Sequence, residues 1–192
     1  MHPASARRLH AFTLVSLDGY YCDAAGDMSF AHKAPDDVEW NEFLIGNTSG
    51  ESVLLYGRTT YDLMVQWWPT PAANQAMPAA ARSINAQRKV VFSRTLKAAT
   101  WNNTVIERDA VAAVRRLKSE PGPDLVILGS GSILTQLADA GLLDAQQIVV
   151  NPIALGAGKA LFGGLKTRRG FTLKKHRAFG NGSVVLWYEA AA

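Results

Sequence analysis

The chain has 192 residues, 48% of them apolar and 19% charged, a balance that excludes a disordered polymer and suits one domain with its own core. Its single cysteine, Cys22, excludes an intrachain disulfide and a cysteine-rich metal site, and fits a reducing compartment. The formal charge of +4 has a local origin in Lys166, Arg168, Arg169, Lys174, Lys175 and Arg177, which have no acid among them. Such a run reads as a solvated strand face or a charged edge; with no aromatic residues interleaved at stacking intervals, no nucleic-acid partner is expected. No window approaches the roughly 18 apolar residues of a membrane span. The start, MHPASARRLHAF, has no apolar run of signal-peptide length. A cytoplasmic protein with no membrane partner is therefore expected.

In chain order, Leu9 to Leu17 is a near-continuous apolar run that predicts a strand buried on both faces, closed by the turn Asp18-Gly19. Pro35-Asp36-Asp37 opens a helical pattern with Val38, Phe43 and Leu44 as core contacts. Val53 to Tyr56 is a second buried strand ending at Gly57, and a helix starts over Thr59 to Val65. Residues 66–80, rich in Pro, Ala and Trp, read as a long loop with a short helix near Ala79 to Asn85. Within that loop, Trp67 and Trp68 line a pocket or pack over a core edge. Lys89 to Ser93 and Val105-Ile106 read as strands. Asp109 to Lys118 is an amphipathic helix with Asp109 as its N-cap, stopped by Pro121-Gly122-Pro123. Leu125 to Leu128 is a strand closed by Gly129-Ser130-Gly131-Ser132, followed by a helix ending at Gly141. Ile148 to Ile153 is a strand. Thr172 to Phe179 and Val184 to Tyr188 alternate around Gly180-Asn181-Gly182, a β-hairpin signal. The alternation predicts α/β: a mostly parallel sheet with an antiparallel C-terminal hairpin and helices on both faces.

Four segments place small or polar residues where a buried strand ends and a helix can begin. They are Ser16 to Gly19, Gly57 to Tyr61, Ser93 to Thr95 and Gly129 to Ser132. In open α/β sheets such ends line the ligand crevice, and helix N-termini there offer free N–H groups to anions. Gly57 allows close backbone approach, Arg58 supplies a charged fork, and Thr59 and Thr60 add hydroxyls; an ordinary helix cap would use the same residues. Ser93 and Arg94 suit a phosphate monoester, or simply end a strand. Asp37 stands at a helix start, where an acid either caps the helix or serves as a proton donor in an adjoining site. The histidines His2, His10, His32 and His176 have no metal-ligand spacing, and no metal is expected.

Taken in order, SLDG, VLLYGRTTY, VVFSRTL, LVILGSGSIL and NPIALGAGKALF resemble the dihydrofolate-reductase-like superfamily. They most resemble its branch containing the C-terminal reductase domain of riboflavin-biosynthesis deaminase-reductases and that domain's stand-alone relatives. The resemblance runs from about residue 9 to residue 189 and treats residues 1–192 as one domain. It implies a three-layer dihydrofolate-reductase-like α/β fold and NADPH as cofactor. It also implies Gly57, Arg58, Thr59 and Thr60 on the cofactor phosphates, and Ser93 and Arg94 on the adenosine 2′-phosphate. Gly129, Ser130, Gly131, Ser132 and Ile133 would lie under the pyrophosphate and nicotinamide ribose, with Val15 and Ser16 near the nicotinamide. It makes Asp37 the match to the substrate-binding carboxylate of dihydrofolate reductases, and as a proton donor Asp37 would have a raised pKa. The implied activity is NADPH-dependent reduction of a small heterocyclic or carbonyl/imine substrate, as in a phosphoribosylaminouracil reductase or a dihydrofolate reductase. The implied assembly is a homodimer, to which the apolar C-terminal hairpin would contribute. Two departures stand out: the zinc-binding cysteine pattern of the fused deaminase is absent, and the region of the folate-tail arginine is the Trp/Pro/Ala-rich stretch 66–81, with Arg82 nearby. A reductase fold that binds NADP(H) as a sensor without efficient turnover is the competing reading.

Overall fold

A computed structural model describes residues 7–34 and 36–191. Pro35, expected to open a helix, and His2 lie outside them. The apolar runs assemble into one sheet. Strands β1 (Leu9–Val15), β3 (Val53–Gly57), β4 (Arg88–Phe92), β5 (Thr104–Glu107), β6 (Leu125–Leu128) and β7 (Ala145–Val150) run parallel. The hairpin strands β9 (Phe171–Ala178) and β10 (Val184–Ala190) close it antiparallel. The order is β5-β4-β3-β6-β1-β7-β10-β9, so the first strand sits near the centre. A small second sheet pairs β2 (Tyr20–Cys22) with β8 (Lys159–Ala160); nothing in the composition of either segment had marked it as strand.

One face of the large sheet is covered by α5 (Ala110–Ser119) and α6 (Gly131–Asp139). Val114, Leu117, Leu134 and Leu137 pack there on Leu9, Leu55, Leu125 and Ile127, and each fully buried leucine contributes on the order of 2 kcal/mol. As expected, Asp109 caps α5, accepting from the Ala112 amide at 3.0 Å. The other face carries α1 (Val38–Thr48) on one side, and α2 (Arg58–Trp67), α3 (Pro71–Ala76) and α4 (Pro78–Ala86) on the other. The short helix expected near Ala79 to Asn85 is α4, and the stretch before it, expected as a long loop, contains the helix α3. Pro71 and Pro78 each occupy a first-turn position, where the missing N–H costs nothing, and Thr70 caps α3.

On this second face α1 meets α4, where Ser83 Oγ donates to the Thr48 carbonyl at 2.6 Å, and an opening is left between α1 and α2. Phe12 and Leu14 of β1 and Val126 and Leu128 of β6 are only half-buried between them, whereas their sequence neighbours Ala11, Thr13, Leu125 and Ile127 are buried. The expectation that β1 is buried on both faces is thus corrected. The strand also ends at Val15, two residues early, because Ser16 turns the chain: the Ser16 amide donates to the Tyr20 carbonyl at 2.9 Å.

Candidate active site

The opening between α1 and α2 is a cavity of about 1150 Å³. Phe12, Leu14, Val126 and Leu128 are among its floor residues, Leu44 stands on the α1 side, and Leu63, Met64 and Trp67 stand on the α2 side. The cavity continues to the carboxyl ends of β3 and β6, where Gly57, Thr59, Thr60 and Gly129 to Ser132 line it. Two of the four chemistry-bearing segments are thereby brought together. β3 and β6 are neighbours in the sheet, so the Gly57 amide donates to Ser130 Oγ at 2.6 Å, and Ser130 Oγ donates to Thr60 Oγ1 at 2.8 Å. This contact requires glycine at 57, where a β-carbon would stand 2.9 Å from Ser130 Oγ. It also holds Ser130 in the left-handed region, at φ 63°.

Helices α2 and α6 both begin at this junction, and neither has a side-chain cap. By contrast, α1, α3 and α5 are capped by Asp37, Thr70 and Asp109. Two adjacent uncapped N-termini leave backbone N–H groups and two positive dipole ends facing one cavity, an arrangement that receives anionic oxygens. NADPH carries such oxygens in its pyrophosphate, and the cradle of Gly57, Thr59, Thr60 and Gly129 to Ser132 fits that group.

The other expected cofactor residues are placed less directly. Arg58 pairs with Asp62 one turn along α2, at 2.6 Å. Ile133 is buried in the core against Gly57. Val15 is buried, its carbonyl accepting from the amide and side chain of Asn151 at 2.8 and 3.0 Å. The buried Ser16 hydroxyl donates to Asp18 at 2.6 Å. Ser93 Oγ accepts from the Leu96 amide at 3.0 Å in a strand-end turn. Arg94 is exposed and makes no hydrogen bond or ion pair among the described residues, at the end of the strand next to β3.

Two long-range contacts could not be read from the sequence. Asp18 clamps the turn after β1 to a distant turn by accepting from the Leu155 and Gly156 amides at 3.1 and 2.7 Å. The Ser16 hydroxyl and these amides hold its pKa down at about 2. The ring of Tyr21 lies over Gly131 at the start of α6, so closely that a β-carbon on Gly131 would overlap it. Burial raises the Tyr21 pKa.

Asp37 differs from its expected role as a proton donor with a raised pKa. Its Oδ1 accepts from the Trp40 amide at 3.0 Å and its Oδ2 from Asn181 Nδ2 at 2.7 Å. These bonds, with the Lys33 ammonium nearby, lower its pKa. Asp37 is a helix cap tied to the hairpin turn, and it stands outside the cavity lining. Lys33 turns instead to Asn151, donating to Oδ1 at 2.6 Å.

A parallel sheet closed by an antiparallel hairpin, with an anion-receiving cradle opening into an apolar cleft, is the frame of a reductase-type domain. The RibD C-terminal domain family matches residues 7–185, and the chain belongs to that family. It is 29% identical over 182 residues to the uncharacterized protein YyaP of Bacillus subtilis, covering 95% of this chain and 94% of that one. Among solved structures it is similar in fold to a putative riboflavin biosynthesis protein from Shewanella sp. PV-4, with TM-score 0.73 and 21% identity, over 96% of this chain and 99% of that one. A dihydrofolate reductase from Enterococcus faecalis, solved with NADP(H), shares the fold at TM-score 0.65 and 12% identity, over 96% and 97% of the two chains. The fold is therefore dihydrofolate-reductase-like. No helix among the described residues is long and apolar enough to cross a membrane.

Proposed function

We propose that the protein is an NADPH-dependent reductase acting on a small carbonyl or imine substrate. The observation that carries this reading is the meeting of two uncapped helix N-termini at Ser130, on the rim of an apolar cleft. The amides at the starts of α2 and α6, with the hydroxyls of Thr59 and Ser132, would hold the pyrophosphate, while Arg94 with Ser93 would take the 2′-phosphate. When bound, NADPH supplies the hydride. The protein's part is to position the acceptor and exclude water along the floor formed by Phe12 and Leu128. With Asp37 committed to its cap, the proton comes from water. The same reading includes a homodimer through the C-terminal hairpin, supported by β9, the terminal strand of the sheet order, which is exposed along nearly its whole length.

One observation favours the sensor reading. Glu189 is the sole carboxylate lining the cavity among the described residues, and it is paired with Arg8. The test is NADPH affinity by calorimetry beside NADPH oxidation over a panel of acceptors. Micromolar binding with turnover of at least one acceptor is expected. Tight binding with no turnover on any acceptor would establish the sensor instead.

A further inference from the structure

The cleft that would receive the hydride acceptor has largely apolar walls. Its α2 wall presents Leu63, Met64 and Trp67, its α1 wall Leu44, and its floor Phe12 and Leu128. Asn47, Thr48 and Gln147, which also line the cavity, are already partnered, while the buried Gln146 Oε1 is an acceptor with no hydrogen-bond partner among the described residues. Asn47 and Gln147 bond each other reciprocally at 3.2 Å. The Thr48 hydroxyl donates back to the Ile45 carbonyl at 3.1 Å, and the Thr48 carbonyl accepts from Ser83 Oγ at 2.6 Å. The charged residues that touch the cavity belong to strands outside the helical walls. His10 is paired with Asp124 and Glu189 with Arg8, while Lys159 and Lys174 are exposed on β8 and β9.

A phosphate or carboxylate on the acceptor would therefore find no cation on the α1 and α2 walls, since the two lysines that touch the cavity, Lys159 and Lys174, stand on β8 and β9. Burying an unpaired anion costs several kcal/mol, more than the apolar contacts of one ring return. Thioethers and indoles suit the opposite kind of ligand, because Met side chains adapt to flat rings and Trp offers a large apolar face.

We infer that the acceptor is an uncharged, planar aromatic carbonyl compound of the quinone class, rather than a phosphoribosyl pyrimidine or a folate. The inference rests on the reductase reading above and names the substrate class of that site. The reaction balances with what that reading supplies: the quinone gains a hydride from NADPH and a proton from water and leaves as hydroquinone, and the cofactor leaves as NADP⁺.

A matched pair of probes tests this, naphthoquinone and naphthoquinone sulfonate, which share a ring and differ by one anionic group. Calorimetric titration of each, with and without NADP⁺, reads the cleft independently of turnover. Neutral naphthoquinone is expected to bind at least about tenfold more tightly than the sulfonate, and to be reduced in the presence of NADPH. Leu63, 56% exposed at the mouth of the cleft, tolerates a charge. Leu63→Lys should narrow the preference by at least about threefold through pairing with the sulfonate. Equal or tighter binding of the sulfonate by the unaltered protein, or an unchanged ratio in Leu63→Lys, overturns the inference. A separate NADPH titration distinguishes the two levels. If NADPH fails to bind while the neutral ring is still preferred, the reductase reading falls and the assignment of the cleft to uncharged aromatic rings stands.

Discussion

The ring of Tyr21 lies against Gly131 at the start of α6, with no room between them for a β-carbon. The contact covers part of the surface on which the cofactor pyrophosphate would rest, so the ring must swing aside when the phosphate enters. Tyr21→Ala removes that cost and should tighten NADPH binding by about threefold to tenfold. Calorimetric titration of the variant checks this; weaker binding would mean that the ring supports the cofactor rather than covering its site.

Arg94 is an exposed cation with no partner among the described residues, standing one strand from the Gly57–Ser130 junction. Arg94→Ala should weaken NADPH binding by about 1–3 kcal/mol, toward the low end because the site is solvated, and leave NADH unchanged. Equal losses for both cofactors would remove Arg94 from the 2′-phosphate.

Asp37 caps α1 and accepts from Asn181. Asparagine caps as well as aspartate, so Asp37→Asn should keep turnover of any working acceptor near normal, whereas Asp37→Ala, which removes the cap, should lower stability. A fall in turnover of about a hundredfold for Asp37→Asn, the size of a lost general acid, would restore Asp37 as the proton donor. The lowered pKa adds a sign. The carboxylate's contribution to stability is present above the ordinary aspartate value and fades as pH falls below it.

Lys89 is fully buried, yet its ammonium donates to the carbonyls of Asn85 and Gln87 at 2.9 and 2.7 Å and lies 4.6 Å from the Trp101 ring centroid. Burial lowers its pKa from 10.5 to about 8. Between those values the unfolded chain binds more protons at this site than the folded one, so stability rises with pH across the window. Denaturant unfolding of the unaltered protein and of Lys89→Met, followed from about pH 8 to about pH 10, should show a stability difference that grows with pH. A difference that is flat or shrinks would mean that the carbonyl bonds hold the ammonium charged.

The hairpin gives a prediction about assembly. Sedimentation at micromolar concentration should show a homodimer. Because β9 carries Lys174, Lys175 and Arg177 on its exposed length, added salt should strengthen the dimer by screening like charges between the two copies. A monomer at every salt concentration would exclude it.

Local chemistry was enough to locate β3, β4 and β6, the Asp109 cap of α5 and the turn at Gly180 to Gly182. Each of these depends on neighbours a few residues away, which the order of residues displays directly. The short helix expected near Ala79 to Asn85 is α4, whereas α3 was missed because Pro, Ala and Trp signal a loop until the first-turn placement of Pro71 is known. The rest depended on distance in space. Ser130 meets Gly57 across 73 positions of sequence, and Asp37 meets Asn181 across 144. The alternation of β1 could not reveal which of its faces would be left as a floor, because that depends on how far apart α1 and α2 stand. Strand periodicity sorts side chains onto two faces, and only packing decides whether a face is covered by helices or left open for a ligand.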